Sequence, residues 1–89
     1  MTAKVLISGF VIGIGFRAFV KSHALKLGLK GFVKNTHDGK VEAEFIGDKN
    51  KIDEMIRLCK KGPFLSEVKD FRVEFVSQDK KYSSFDIIH

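Results

Sequence analysis

An α+β sandwich, with two helices laid on one face of an antiparallel sheet, is the fold class this 89-residue sequence predicts. Three observations predict it. The hydrophobic period switches between alternation and helical spacing in the order strand, helix, strand, strand, helix, strand. Glycines punctuate the switches. An Asp-Gly pair joins the second and third strands as a hairpin.

The first strand is Lys4–Phe10, where Val5, Leu6 and Ile7 follow one another. A continuous apolar run marks a central strand covered on much of both faces. From Phe16 the period becomes helical, with Phe16, Phe19, Val20, His23, Ala24 and Leu27 on one stripe. Gly28 ends that helix as its C′ residue. Lys30–Asn35 is the second strand and Thr36–Gly39 the turn. Lys40–Ile46 then alternates, with Val41, Ala43 and Phe45 opposite Glu42 and Glu44.

Asp48 or Asn50 caps a second helix whose buried stripe is Ile52, Met55, Ile56 and Cys59. Gly62-Pro63 stops it. In Val68–Val76, Phe71, Val73 and Phe75 alternate against Arg72 and Glu74, which places the apolar three in the core. Ser84–Ile88 is a short last strand, with Phe85 and Ile87 on one face. The order βαββαβ plus a terminal strand is the ferredoxin-like sandwich. A right-handed first crossover makes strands one and two parallel. Their C-terminal ends therefore share one sheet edge, where ligands of open α/β sheets often bind.

The bulk numbers agree with a single domain over residues 1–89. Apolar residues make up 44%, including nine Phe, which suffices for a core and excludes disorder. Sixteen Lys and Arg against eleven Asp and Glu leave a net charge of +5, which favours anionic partners. No run of five basic residues marks a polyanion footprint, so nucleic acid is not the expected partner. One cysteine allows no internal disulfide, and with no signal-like N-terminus the expected setting is cytoplasmic. The longest apolar run, Val5–Phe16, is broken by Ser8 and glycines and is too short for a membrane.

Function concentrates in Gly9–Arg17. Its three glycines, Gly9 at the end of the strand and Gly13 and Gly15 beyond it, let backbone N–H groups turn inward, and a helix N-terminus follows at once. Inward amides plus the positive end of a helix make an anion site. Arg17 adds a permanently charged fork of donors suited to phosphate. The run Gly13-Ile14-Gly15-Phe16-Arg17-Ala18 also fits a dinucleotide-binding pattern. That reading fails, because Asp38 sits in a hairpin turn and the chain is too short for two nucleotide-binding halves. No Gly-Lys-[Ser/Thr] follows, so this is not a Walker loop.

Two segments resemble acylphosphatases. Gly9-Phe10-Val11-Ile12-Gly13-Ile14-Gly15-Phe16-Arg17 is similar to the family's G-x-V-Q-G-V-G-F-R. Gly31-Phe32-Val33-Lys34-Asn35, with Gly39, Val41 and Gly47, fits the family's second motif at every fixed position. Ile12 departs from the first motif, standing where the family usually carries Gln. The resemblance implies hydrolysis of small acyl phosphates to carboxylate and phosphate, without metal or other cofactor. It implies that Arg17 binds the phosphate and that Asn35 positions the attacking water. The backbone of Val11, Ile12, Gly13, Ile14, Gly15 and Phe16 becomes the phosphate cradle. It also fits either a free-standing protein or a domain of a larger carbamoyl-transfer maturation protein, and with no exposed apolar helix face in the pattern a monomer is expected. The start at Met1 and the compact ending favour the first. The rival reading is a non-catalytic phosphate- or RNA-binding module on the same fold.

Other polar residues have plainer roles. Turn chemistry accounts for Asp38, and neither it nor His37 is taken as catalytic. His23 lies on a helix stripe at the core boundary and His89 is terminal. No two His residues share metal-site spacing. Cys59 behaves as a small buried hydrophobe.

Overall fold

The structure, a computed structural model, describes residues 1–77 and 82–88; His89 lies outside the described residues. Its elements are β1 (Thr2–Phe10), α1 (Phe16–Lys26), β2 (Lys30–Asn35), β3 (Val41–Ile46), α2 (Lys49–Lys61), β4 (Glu67–Val76) and β5 (Phe85–Ile88). They follow the order read from the sequence.

The strands form one sheet in the order β4-β1-β3-β2-β5. β3 is antiparallel to both β1 and β2, so β1 and β2 run the same way and end on the same edge. β4 is antiparallel to β1. The four strands of the βαββαβ unit are thus antiparallel neighbours, as the fold class requires. β5 pairs parallel with β2, Val33 opposite Ile87, and makes the five-stranded sheet mixed.

Side-chain alternation puts Ala3, Val5 and Ile7 of β1 beside Val41, Ala43 and Phe45 of β3, all buried. α1 adds Phe16, Val20 and Ala24 to this layer, and α2 adds Ile52, Met55 and Cys59. Phe45 and Phe85 stack at 5.5 Å between ring centroids, which ties β5 into the same core. His23 packs its ring against Phe19 at 4.5 Å and is only half-buried, a boundary position.

One expectation is corrected. Phe71 packs against the core, but Phe75 is 44% exposed. Both residues face the helices, since they pair with Ile7 and Ala3. β4 is an edge strand, however, and α2 covers it incompletely. Lysine side chains cover part of the gap: Lys49 Nζ lies 5.6 Å from the Phe75 centroid and Lys60 Nζ lies 5.5 Å from that of Phe71. Neither phenylalanine is offered on the open sheet face, where stacking on a nucleic acid base would need it.

The second-strand glycine Gly31 has a packing reason. It adopts φ 132°, and a Cβ there would overlap the Glu44 carbonyl oxygen of β3. Only glycine allows the two strands to approach so closely.

Candidate active site

The C-terminal edge of β1 and β2 carries the site. β1 leaves its ladder with a register shift between Ser8 and Gly9 and ends at Phe10. A bulge of this kind re-aims the chain that follows it. Val11 then plunges into the core at 1% exposure and anchors the loop. Gly13 and Gly15 take φ 79° and 81°, left-handed values that side chains resist, with open space where a Cβ would stand. Gly15 is the N-cap of α1, and the helix starts at Phe16, buried beneath the loop.

No side chain caps α1 at this end, and its first turn holds no acidic residue. The helix N-terminus therefore presents amide donors and positive potential without a built-in counter-charge from that turn. Arg17, half-buried, follows in the first turn.

Around this turn lies a cavity of about 180 Å³ lined by Val11, Gly13, Gly15, Phe16, Arg17, Ala18, Asn35 and Ile87. Drug-sized ligands occupy roughly 300 Å³ or more, so this space suits a group as small as a phosphoryl. Of the residues singled out from the sequence, Arg17 and Asn35 meet here, with Val11, Gly13, Gly15 and Phe16. Ile12 and Ile14 do not line it. Ile12 faces outward, and Ile14 packs against the core.

Asn35 arrives as the last residue of β2, opposite Val41 in the ladder. The turn beyond it is held by its own hydrogen bonds. Thr36 N–H donates to Lys40 O at 2.8 Å, and Lys40 N–H donates to Thr36 Oγ1 at 3.0 Å. Gly39 supplies φ 81°. The Thr36 hydroxyl also donates to Asp38 and holds its carboxyl below the usual range, with Lys40 adding to the effect. Asp38 is thus a turn residue kept ionised, a poor base at neutral pH.

Ile87 and Ala18 were not identified from the sequence. Alternation gave Ile87 a face; only the pairing of β5 with β2 brings it to the wall opposite the loop. A second hollow, about 350 Å³, shares Asn35 with the first and is also lined by Lys34, Thr36, His37, Glu42 and Ile88. Lys34 Nζ stands 3.9 Å from Glu42 Oε1 there, so the two charges offset each other. Cys59 plays no part: burial pushes its thiol up to about 12, which keeps it protonated and unreactive. Among the described residues, no three His, Cys, Asp or Glu side chains gather as a metal-holding group. Among those residues, too, no helix is long and apolar enough to cross a membrane.

A small cavity at a helix N-terminus, bordered by a guanidinium and a carboxamide on an α+β sandwich, has the donors that suit a phosphate group. Comparison with known proteins names the family. The acylphosphatase family model matches residues 3–87. An acylphosphatase of Methanocella arvoryzae is 49% identical over 69 residues, covering 78% of each chain. The crystal structure of acylphosphatase from Bacillus subtilis superposes with a TM-score of 0.96 at 33% identity, covering 99% of this chain and 98% of that one. Full-length HypF, in a phosphate- and nucleotide-bound form, matches at 33% identity with a TM-score of 0.88. There the match covers 99% of this chain but 12% of HypF. The chain belongs to the acylphosphatase family.

Proposed function

We propose that this protein hydrolyses acyl phosphates, with Arg17 holding the phosphoryl group and Asn35 positioning the attacking water. The observation that carries the reading is convergence. Arg17, the glycines that shape the cradle, and Asn35 border one cavity of phosphoryl size although they come from two separate strand ends.

The chemistry asks little more. An acyl phosphate already has a good leaving group, so catalysis reduces to positioning and to stabilising charge on the phosphoryl oxygens. Backbone amides of the loop residues that line the cavity, at the α1 N-terminus, take those oxygens, and Arg17 adds a paired donor. The Asn35 carboxamide oxygen accepts from a water while its NH₂ donates, fixing the nucleophile. Water oxygen bonds to phosphorus as the bond to the acyl oxygen breaks. The carboxylate leaves, and the water proton passes to a phosphoryl oxygen of the substrate. Positioning and charge are enough, so no metal or cofactor is invoked.

Residues 1–89 act as one domain and as a monomer in a reducing, cytoplasmic setting. The family match over residues 3–87 supports the single domain, and a lone cysteine, with no internal disulfide possible, supports the reducing setting. The test is phosphate release from acetyl phosphate. Turnover that collapses in Arg17→Ala and Asn35→Ala supports the reading. Wild-type protein without activity would overturn the hydrolase, and full activity in either variant would overturn that residue's role.

A further inference from the structure

Phe64 makes almost no contact with its own molecule. It is 98% exposed, and Leu65 beside it is 66% exposed. A phenylalanine held in water gives nothing to the core, so its apolar surface answers to something outside the chain. The two residues sit in the turn between α2 and β4, which holds its own shape. Ser66 donates from both its N–H and its hydroxyl to Pro63 O, at 2.9 and 2.7 Å. Gly62 N–H donates to Leu58 O at 2.8 Å and ties the turn to the end of α2. The apolar pair is therefore presented on a fixed turn.

The neighbouring strand end extends it. Glu67 follows the turn and pairs with Phe10, itself 58% exposed, and Ile12 comes two residues later, also exposed. Eight large hydrophobic residues are exposed among the described residues, and these two segments hold four of them. Cations border the same turn. Lys60 and Lys61 are the last residues of α2, and both are exposed. Lys69, exposed as well, falls at the register shift where Ser8 pairs with Asp70 and Gly9 with Val68. The carboxylates nearby are Glu67 and Asp70, and Arg72 Nε stands 3.2 Å from Asp70 Oδ2. Residues 60–72 thus carry four cations against two carboxylates, in a chain of net charge +5.

We infer that the turn carrying Phe64 and Leu65 docks this protein on an anionic phospholipid surface. The two apolar side chains enter the boundary between headgroups and acyl chains, and Lys60, Lys61 and Lys69 rest against lipid phosphates. Such a surface answers both halves of the observation. Its acyl boundary takes projecting apolar side chains, and its headgroups carry the opposite charge. A second copy of this chain answers one half alone, because it brings the same cations and two such turns repel. The attachment is reversible, since two side chains bury less apolar surface than one lipid chain. None of this depends on the hydrolase reading.

The experiment is co-sedimentation of the full chain with vesicles of phosphatidylglycerol and phosphatidylcholine in equal parts, and with vesicles of phosphatidylcholine alone. Thermal melting confirms that each variant folds. The wild type should bind the mixed vesicles and lose most of that binding between about 50 and 500 mM salt, which screens the lysines. Phe64→Ser with Leu65→Ser should weaken binding at least about tenfold. Lys60 also covers the Phe71 ring, so the charge test uses Lys61→Gln with Lys69→Gln, which should weaken binding about tenfold or more. The chain has no tryptophan, so Phe64→Trp puts the sole indole at the tip of the turn. Its emission should move to shorter wavelength on mixed vesicles and be quenched by lipids brominated on their acyl chains. A wild type that stays in the supernatant, or an indole whose emission does not move, overturns the docking. Binding that survives the serine pair means adsorption by lysines without insertion and overturns it too. Equal binding to phosphatidylcholine alone removes the charge argument and with it the proposal. A wild type that self-associates in sedimentation equilibrium, and a serine pair that does not, assigns the turn to a second copy and overturns the lipid surface.

Discussion

Arg17 gives the sharpest test, because its two plausible contributions separate by substitution. It sits half-buried on the wall of a cavity of about 180 Å³. Two unit charges about 4 Å apart attract by about 4 kcal/mol at an effective dielectric near 20 and by about 1 kcal/mol in water. A half-buried guanidinium falls between these limits, at about 2–3 kcal/mol. That range corresponds to a loss of roughly 30-fold to 150-fold in kcat/KM from the charge alone, so Arg17→Ala, which loses the paired donors as well, should fall by at least that much. Arg17→Lys restores the point charge but not the planar fork, which costs about one charged hydrogen bond. At about 1.5 kcal/mol, that leaves Lys roughly tenfold below the wild type and clearly above Ala. The assay is phosphate release from acetyl phosphate, with inhibition by inorganic phosphate measured alongside. The inhibition constant should weaken in the same order, Ala more than Lys. Arg17→Ala within twofold of wild type would refute the assignment. Lys no better than Ala would show that the fork matters and the charge does not.

Four further outcomes follow from the geometry. Under the proposed water-positioning role, Asn35→Ala should lower kcat about 100-fold while phosphate inhibition changes less than threefold; equal loss of both would make it a phosphate ligand. Ile12→Gln should change acetyl phosphate turnover by less than about threefold, because position 12 does not line the cavity; a tenfold gain would mean the amide reaches the substrate. Gly31→Ala should cost about 3 kcal/mol or more and lower the melting midpoint by more than about 12 °C, because its Cβ overlaps the Glu44 carbonyl; a variant melting with the wild type would show that β2 can shift away from β3. Cys59, raised by burial from 9.0 to about 12, binds its proton more tightly when folded, so it contributes stability that is intact below pH 9 and falls as pH rises toward 12. Urea midpoints from pH 8 to 11 should decline less in Cys59→Ala than in the wild type once baseline stabilities are subtracted.

What the sequence disclosed and what it hid divide along one physical line. Spacing reports which side chains share a face, and connection rules report which strands can lie parallel. Arg17 and Asn35 are far apart in the chain. Their meeting was nonetheless legible, because a right-handed crossover puts the ends of β1 and β2 on one edge. Ile87 was not legible in the same way. Its alternation with Ile88 gave it a face, but no local signal says that β5 pairs parallel with β2 rather than with another edge. Phe75 failed for a related reason. Its period matches that of Phe71 and Val73, yet burial depends on how far α2 extends over an edge strand, a property of packing and not of period. Phe64 and Leu65 carry no periodic signal at all, because they lie in a turn. The catalytic half of the site is written in local backbone chemistry, glycines, a helix start and a strand end, which a sequence displays directly. The wall that Ile87 adds is written in adjacency between β5 and β2, and adjacency exists only once the sheet has formed.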